Sequence, residues 1–196
     1  FTSGLDSRQG QSHKAISMLT NYEILNVMKL VAKGLSVFVV DYNGMADGDN
    51  VQPYMNNIEA GRAMLDGARA IRSLNHLSAT TPVGIWGFSQ GGGAAYVGAA
   101  LQPTYAPDVN LKVSYAGAPP IDLIPTLQKV EARALSGLIG YGVNGFAGTY
   151  PEVRKAVEEN INTSGRKNLA KLANSCVADT LFGYVYQATG KWTHDG

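Results

Sequence analysis

V-G-I-W-G-F-S-Q-G-G-G-A-A-Y, residues 83–96, is the stretch whose reading decides the fold. Val83 to Trp86 is a short apolar run of the kind that forms a buried strand. Gly91 to Ala95 is a run of small residues suited to the tightly packed start of a helix. Between them stands Ser89, with Gly87 two residues before it and Gly91 two residues after. This is the G-x-S-x-G pattern, in which the chain turns sharply enough to lift a serine hydroxyl above the strand ends. The turning residue takes a strained backbone conformation, and side chains at the flanking positions would collide with strand and helix. In a chain with 23 glycines the bare pattern can arise by chance. The strand before and the helix after make it a nucleophile elbow rather than a strand-to-helix turn with an incidental serine.

With 196 residues, 45% of them hydrophobic and 16% charged, the chain has enough apolar sequence for one domain with a core and too little charge for disorder. Sixteen basic against fifteen acidic residues give a net charge of +1, which excludes a general attraction to nucleic acid or an anionic membrane. No apolar run approaches the roughly twenty residues that span a bilayer. The start at Phe1 shows no basic n-region or cleavage site and reads like mid-protein sequence, so a processed or trimmed N-terminus is expected. The single cysteine, Cys176, cannot form an internal disulfide. It is either a small buried apolar side chain or a half-cystine whose partner lies outside this chain.

Outward from the elbow, residues 1–20 are polar and read as irregular, with His13 a solvated loop residue lacking any partner at metal-ligand spacing. Asn21 can cap a helix that carries Ile24, Val27, Met28 and Val31 on one face and ends at Gly34. Leu35 to Val40 is a continuous valine-rich run, as expected for a parallel strand buried on both faces. Asp41 stands at its carboxyl end, where ligands and catalytic groups gather in open α/β sheets. Asp41, Asp47 and Asp49 lack the ligand ladder and closing glutamate of a calcium loop, so no metal is expected. Ile58, Leu65, Ala68, Ile71 and Leu74 mark a helix over 54–75, with Asp66 and Arg69 able to pair at i,i+3 and His76 following it.

The elbow helix runs to about Leu101, Pro103 and Pro107 mark a loop, and Leu111 to Ala116 is another short strand. The order α, β, α, β, α, β with short connections is that of a parallel sheet with helices on both faces. After Asp122 the character changes: segments around 122–140, 151–160 and 165–175 read as helices separated by glycine-rich turns at Gly140-Tyr141-Gly142 and Asn144-Gly145. Tyr184 to Tyr186 is the best remaining strand candidate. A boundary near residue 122 thus separates a sheet domain, 1–121, from a helical insertion or cap, 122–196.

A serine hydroxyl is a poor nucleophile at neutral pH and needs a base within hydrogen-bond reach and an acid to orient that base. His194 is the only histidine after Ser89, and Asp179 or Glu159 precedes it formally. No further strand follows to carry acid and base loops, so neither His194 nor Asp195 is expected in catalysis. The oxyanion hole is better defined. One donor is the N–H of Gln90, the residue after the nucleophile, and the other comes from the loop at Asp41. Asp41 can also serve as an Asx-turn acceptor, and the two roles are compatible. Tyr42 and Phe88, next in sequence to Asp41 and Ser89, are candidate substrate-binding residues.

The chain resembles the secretory lipase family of α/β-hydrolases, the lipase A-type enzymes of fungi and actinobacteria. The matching pieces are V-V-D-Y-N-G at 39–44, A-M-L-D-G-A-R-A at 63–70, W-G-F-S-Q-G-G at 86–92, Y-A-P-D at 105–108 and G-A-P-P-I-D-L at 117–123. T-Y-P-E-V at 149–153 and G-R-K-N-L near 165 are similar to the helical lid region of that family. The resemblance implies an incomplete α/β-hydrolase sheet with a helical lid or cap, Ser89 as nucleophile, and Asp41 and Gln90 as the oxyanion hole. It also implies secretion, and Cys176 paired with a cysteine not present here. The family's catalytic Asp and His lie in a further C-terminal segment without counterpart in these residues.

The function so implied is serine ester hydrolysis through an acyl-enzyme on Ser89. The substrate is a lipid or small ester, with transient contact at a lipid interface, no nucleic acid and no cofactor. An acyltransferase or peptidase on the same scaffold is the enzymatic alternative. A catalytically silent fragment or binding module is the alternative from another class.

Overall fold

The computed structural model describes residues 24–44, 52–175 and 177–195. The readings made at His13, Asn21, Asp47, Asp49 and Cys176 lie outside the described residues. The chain divides into two compact units, Phe1–Tyr42 with Asn57–Ile121 and Asn43–Asn56 with Asp122–Gly196. Among the described residues no helix is long and apolar enough to cross a membrane.

The first unit opens with helix α1, Ile24–Ala32. Its end is set by Gly34, which takes φ +80° while the N–H of Leu35 reaches back to the Leu30 carbonyl at 3.2 Å. Leu35 to Val40 is not the doubly buried strand that its composition predicts. Leu35 to Val39 carry no ladder, and Leu35, Phe38 and Val39 are exposed, while Val40 is buried. The reason is one-sided packing: the side chains of Phe38 and Val40 lie over Gly67 of helix α2, Asn57–Leu74. Burial on both faces needs a neighbour on each, and hydrophobicity alone cannot supply the second.

Strands β1, Val83–Phe88, and β2, Leu111–Gly117, pair in parallel, from Gly84 opposite Val113 to Phe88 opposite Gly117. Helix α3, Gln90–Tyr105, is the crossover between them. It runs one turn past the expected end and takes in Pro103. Its last turn is held from the side, where Gln102 Nε2 donates to the carbonyls of Ala106 at 3.2 Å and Val109 at 3.0 Å.

Helix α2 buries Ala60, Gly61, Met64, Leu65 and Ala68, whereas Ile58 and Leu74, expected on its apolar face, are exposed. The buried stripe is the one that fits α3. At Gly61 the two backbones come so close that a Cβ would meet Val97 and Gly98. Leu65, Ala68, Ala106 and Val109 form the core beneath, each large apolar side chain contributing roughly 1.5–3 kcal/mol on burial. On the other face of the sheet Trp86 stacks on Tyr115 at 4.0 Å, and Val113 remains 63% exposed.

The second unit is helical: α4 Leu123–Val130, α5 Gly137–Thr149, α6 Pro151–Asn160, α7 Thr163–Ala173, α8 Val177–Gly183 and a 3-10 turn, Thr189–Trp192. The expected turns at Gly140-Tyr141-Gly142 and Asn144-Gly145 are instead the middle of α5. Tertiary packing overrides the low helix propensity of glycine here. A Cβ on Gly140 would strike the Leu172 side chain, and one on Gly137 would strike Thr180 and Tyr184. Tyr184 to Tyr186 is a bend and turn rather than a strand, with Tyr186 at φ +59°. Ile161, Leu169, Leu172, Tyr184 and Trp192 form this unit's core.

Asn162 organises the return of the chain. Its side chain caps α7 by accepting from the Gly165 N–H at 2.9 Å, and its Nδ2 donates to the carbonyls of Lys191 and Thr193. Ile161 and Thr193 bridge in antiparallel sense alongside it.

Candidate functional site

β1 delivers the chain to Ser89, and three constraints shape the turn there. The Ser89 N–H donates to the carbonyl of Gly117, at the end of β2, at 2.9 Å, so the elbow is tied to the neighbouring strand. Its carbonyl accepts from Gly93 N–H at 3.0 Å, which opens the hydrogen-bond ladder of α3. Its backbone sits at φ 52° and ψ −116°, a region that a non-glycine residue occupies only when its surroundings compel it. Side chains are excluded around it, since a Cβ on Gly87 would land on the Gly91 carbonyl and one on Gly92 on the Gly117 carbonyl. The result is an exposed serine at the head of a 16-residue helix.

Gln90 is the first residue of α3, where an N–H has no acceptor within its own helix and the helix dipole favours negative charge. Its side chain is 3% exposed, and both amide atoms lack a hydrogen-bond partner among the described residues. Phe88, on the other side of Ser89, is 48% exposed. Asp41 and Tyr42 belong to the same unit as Ser89, Asp41 exposed and Tyr42 3% exposed. An exposed hydroxyl beside an N-terminal helix N–H is an arrangement suited to attack on a carbonyl with the developing oxyanion held by backbone donors.

The histidines are distributed differently. His76 is an exposed residue at φ 52° in the turn after α2, where Leu77 N–H reaches the Arg72 carbonyl at 2.9 Å. His194 belongs to the helical unit, its N–H bonded to the Asn160 carbonyl at 3.0 Å. Among the described residues no cluster of His, Cys, Asp or Glu could hold a metal ion.

Asn57 is a residue the sequence reading passes over. It begins α2, yet its Nδ2 donates to the Pro120 carbonyl at 2.9 Å and its amide lies against Gly93 of α3. An asparagine at a helix start reads as routine capping, and only the three-way contact shows more. A second discovery lies away from the elbow. Asp66 and Arg69 pair as expected at 3.0 Å, but Asp108 binds both Arg69 at 2.6 Å and Arg72 at 2.8 Å. Tyr105 donates its hydroxyl to Asp66 at 2.6 Å. Hydrogen bonds from Arg69 first and Arg72 second hold the Asp108 carboxyl well below the usual carboxylate range.

Comparison with known proteins follows the same lines. The sequence profile described as secretory lipase matches residues 9–196. A probable inactive lipase of Mycobacterium tuberculosis is 33% identical over 170 residues, covering 86% of this chain and 37% of that protein. A secreted triacylglycerol lipase of Malassezia furfur is 30% identical over 141 residues, 67% of this chain and 29% of that protein. The closed-state crystal structure of Candida antarctica lipase A superposes with a TM-score of 0.69 at 24% identity, covering 73% of this chain and 34% of that one. The fold is therefore that of the α/β-hydrolase lipases, present in part. The chain spans 37% of the length of the first of these curated relatives and 29% of the second.

Proposed function

The chain belongs to the secretory lipase family, and on that footing we propose that it carries the nucleophile and the oxyanion-binding groups of a serine hydrolase acting on lipid acyl esters. Ser89 Oγ attacks the ester carbonyl and gives up its proton to a base. The oxyanion forms against the N–H groups of Gln90 and Asp41. Collapse releases the alcohol and leaves an acyl group on Ser89, which water then removes. Phe88 and Tyr42 line the acyl path. A base supplied by sequence outside this chain fits this reading, since the one histidine among the described residues of the unit holding Ser89 is the exposed His76. The relatives' naming as secreted proteins supports secretion for this one.

The observation that carries this reading is the backbone of Ser89, at φ 52° and ψ −116° between a parallel strand and a helix N-terminus. Strain at an exposed serine in such a turn supports the presentation of its hydroxyl. A second reading, a catalytically silent module, is favoured by the likeness to a protein named as a probable inactive lipase. A fluorophosphonate separates the two. On the natural polypeptide that contains this sequence, labelling is expected at Ser89 and lost in Ser89→Ala. The 196-residue chain alone is expected to hydrolyse short p-nitrophenyl esters negligibly, as removal of a base leaves only oxyanion and binding effects. An unlabelled Ser89 in the natural polypeptide would sink the hydrolase reading and leave the silent one.

A further inference from the structure

We propose that Asn57 is a positioning residue for Ser89, its side-chain amide clamping together the two segments that hold the Ser89 backbone. The kinetic consequence rests on the hydrolase reading of Ser89, and the clamp itself on contacts within the first unit.

The elbow is supported at two points. The Ser89 N–H donates to the Gly117 carbonyl at 2.9 Å, and the Ser89 carbonyl accepts from the Gly93 N–H at 3.0 Å. Three residues beyond Gly117, the Pro120 carbonyl takes a hydrogen bond from Asn57 Nδ2 at 2.9 Å. The loop between carries Ala118 at φ 44°, a backbone state that persists only where neighbours hold it. On the side of α3, the three heavy atoms nearest to a Cβ built on Gly93 are Oδ1, Cγ and Nδ2 of Asn57. The Cα–H bond of Gly93 that a side chain would replace therefore points at the amide. Asn57 Oδ1 is buried without a hydrogen-bond partner, and this Cα–H contact stands in that place.

One amide thus touches both supports of the elbow. It fixes the spacing between the loop after β2 and the first turn of α3, and Ser89 hangs between them. A misplacement of about 1 Å in a reacting group costs on the order of a hundredfold in rate. Gly93 is required here for the room it leaves, because alanine would turn the Asn57 amide away and break its bond to Pro120. Ser114 offers the contrast. Its Oγ donates to the Ala95 carbonyl at 3.0 Å, a tie between β2 and α3 that bypasses both supports.

The test uses the natural polypeptide with Asn57→Ala, Gly93→Ala and the two together, and Ser114→Ala as control. With p-nitrophenyl butyrate, and rates normalised to sites titrated by a fluorophosphonate, Asn57→Ala should lower kcat by on the order of tenfold to a hundredfold at nearly unchanged KM. Gly93→Ala should reproduce that loss, and the double variant should add little to it, as residues in contact do. Gly93→Ala removes no atom, so it carries the test if Asn57→Ala folds poorly. Ser114→Ala should lower Tm and leave kcat unchanged. Hydrogen exchange over residues 86–96 should quicken in the Asn57 and Gly93 variants alike. An unchanged kcat in both single variants, multiplying effects in the double variant, or an equal kcat loss in Ser114→Ala would overturn the proposal. If the wild type neither turns over nor labels, the exchange rates decide. A shared, non-additive quickening then keeps the clamp and faults the hydrolase reading alone, and its absence faults both.

Discussion

Gly92 and Gly142 show how differently one residue type is used along this chain. At Gly92 the Gly117 carbonyl closes on the first turn of α3, whereas at Gly142 nothing stands within 4 Å of an added Cβ. Gly92→Ala should therefore destabilise the protein by about 1–3 kcal/mol through overpacking and slow labelling of Ser89. Gly142→Ala should be neutral or stabilising by roughly 0.4–1 kcal/mol, since α5 gains helix propensity at no steric cost. Urea unfolding of the two variants checks both signs. At this scale the strand-to-helix turn at Ser89 was legible because its pattern is local: the five residues from Gly87 to Gly91 specify it. Asn57 was not, because its contacts run to Gly93 and Pro120, which no local pattern links to it.

The elements of the first unit are joined by an ion-pair cluster that spans two motifs distant in sequence. Arg69 and Arg72 of α2 converge on Asp108 in the loop beyond α3. Asp108→Asn keeps the shape and removes the charge, so it should lower Tm, and the difference should shrink in high salt as screening rises. The pH dependence has a definite sign. A carboxyl whose folded pKa is depressed contributes stability above its unfolded value and loses it as pH falls through the folded one. Calorimetry on wild type and variant should show the curves merging in acid. At this scale the strand-helix-strand unit was legible from Val83 to Gly117, because apolar runs and small-residue helices alternate cleanly. Leu35–Val40 and the glycine-rich α5 were misjudged for one reason. Burial and helix formation there depend on which neighbour arrives, and composition does not encode the neighbour.

On the scale of the whole molecule, alkaline pH should act first on the helical unit. Burial pushes the Tyr54 hydroxyl up to about 12, beside Tyr141 at a ring separation of 5.6 Å. A tyrosine whose folded pKa is raised keeps its contribution below the unfolded value near 10 and loses it as pH rises toward 12. The helical unit should weaken by on the order of 1–3 kcal/mol over that window, and Tyr54→Phe should suppress the loss. Trp192 fluorescence in a Trp86→Phe background follows this unit, because Trp86 belongs to the other one. An equal alkaline loss in Tyr54→Phe would count against the assignment. The clip at Asn162 has a consequence for how such a molecule can change over generations. Ile161 and Thr193 stand side by side, so the chain between them leaves and returns through one doorway. Within that stretch Leu169, Leu172, Tyr184 and Trp192 fill the core of the unit, so its length can change in the turns between helices while these side chains keep their places.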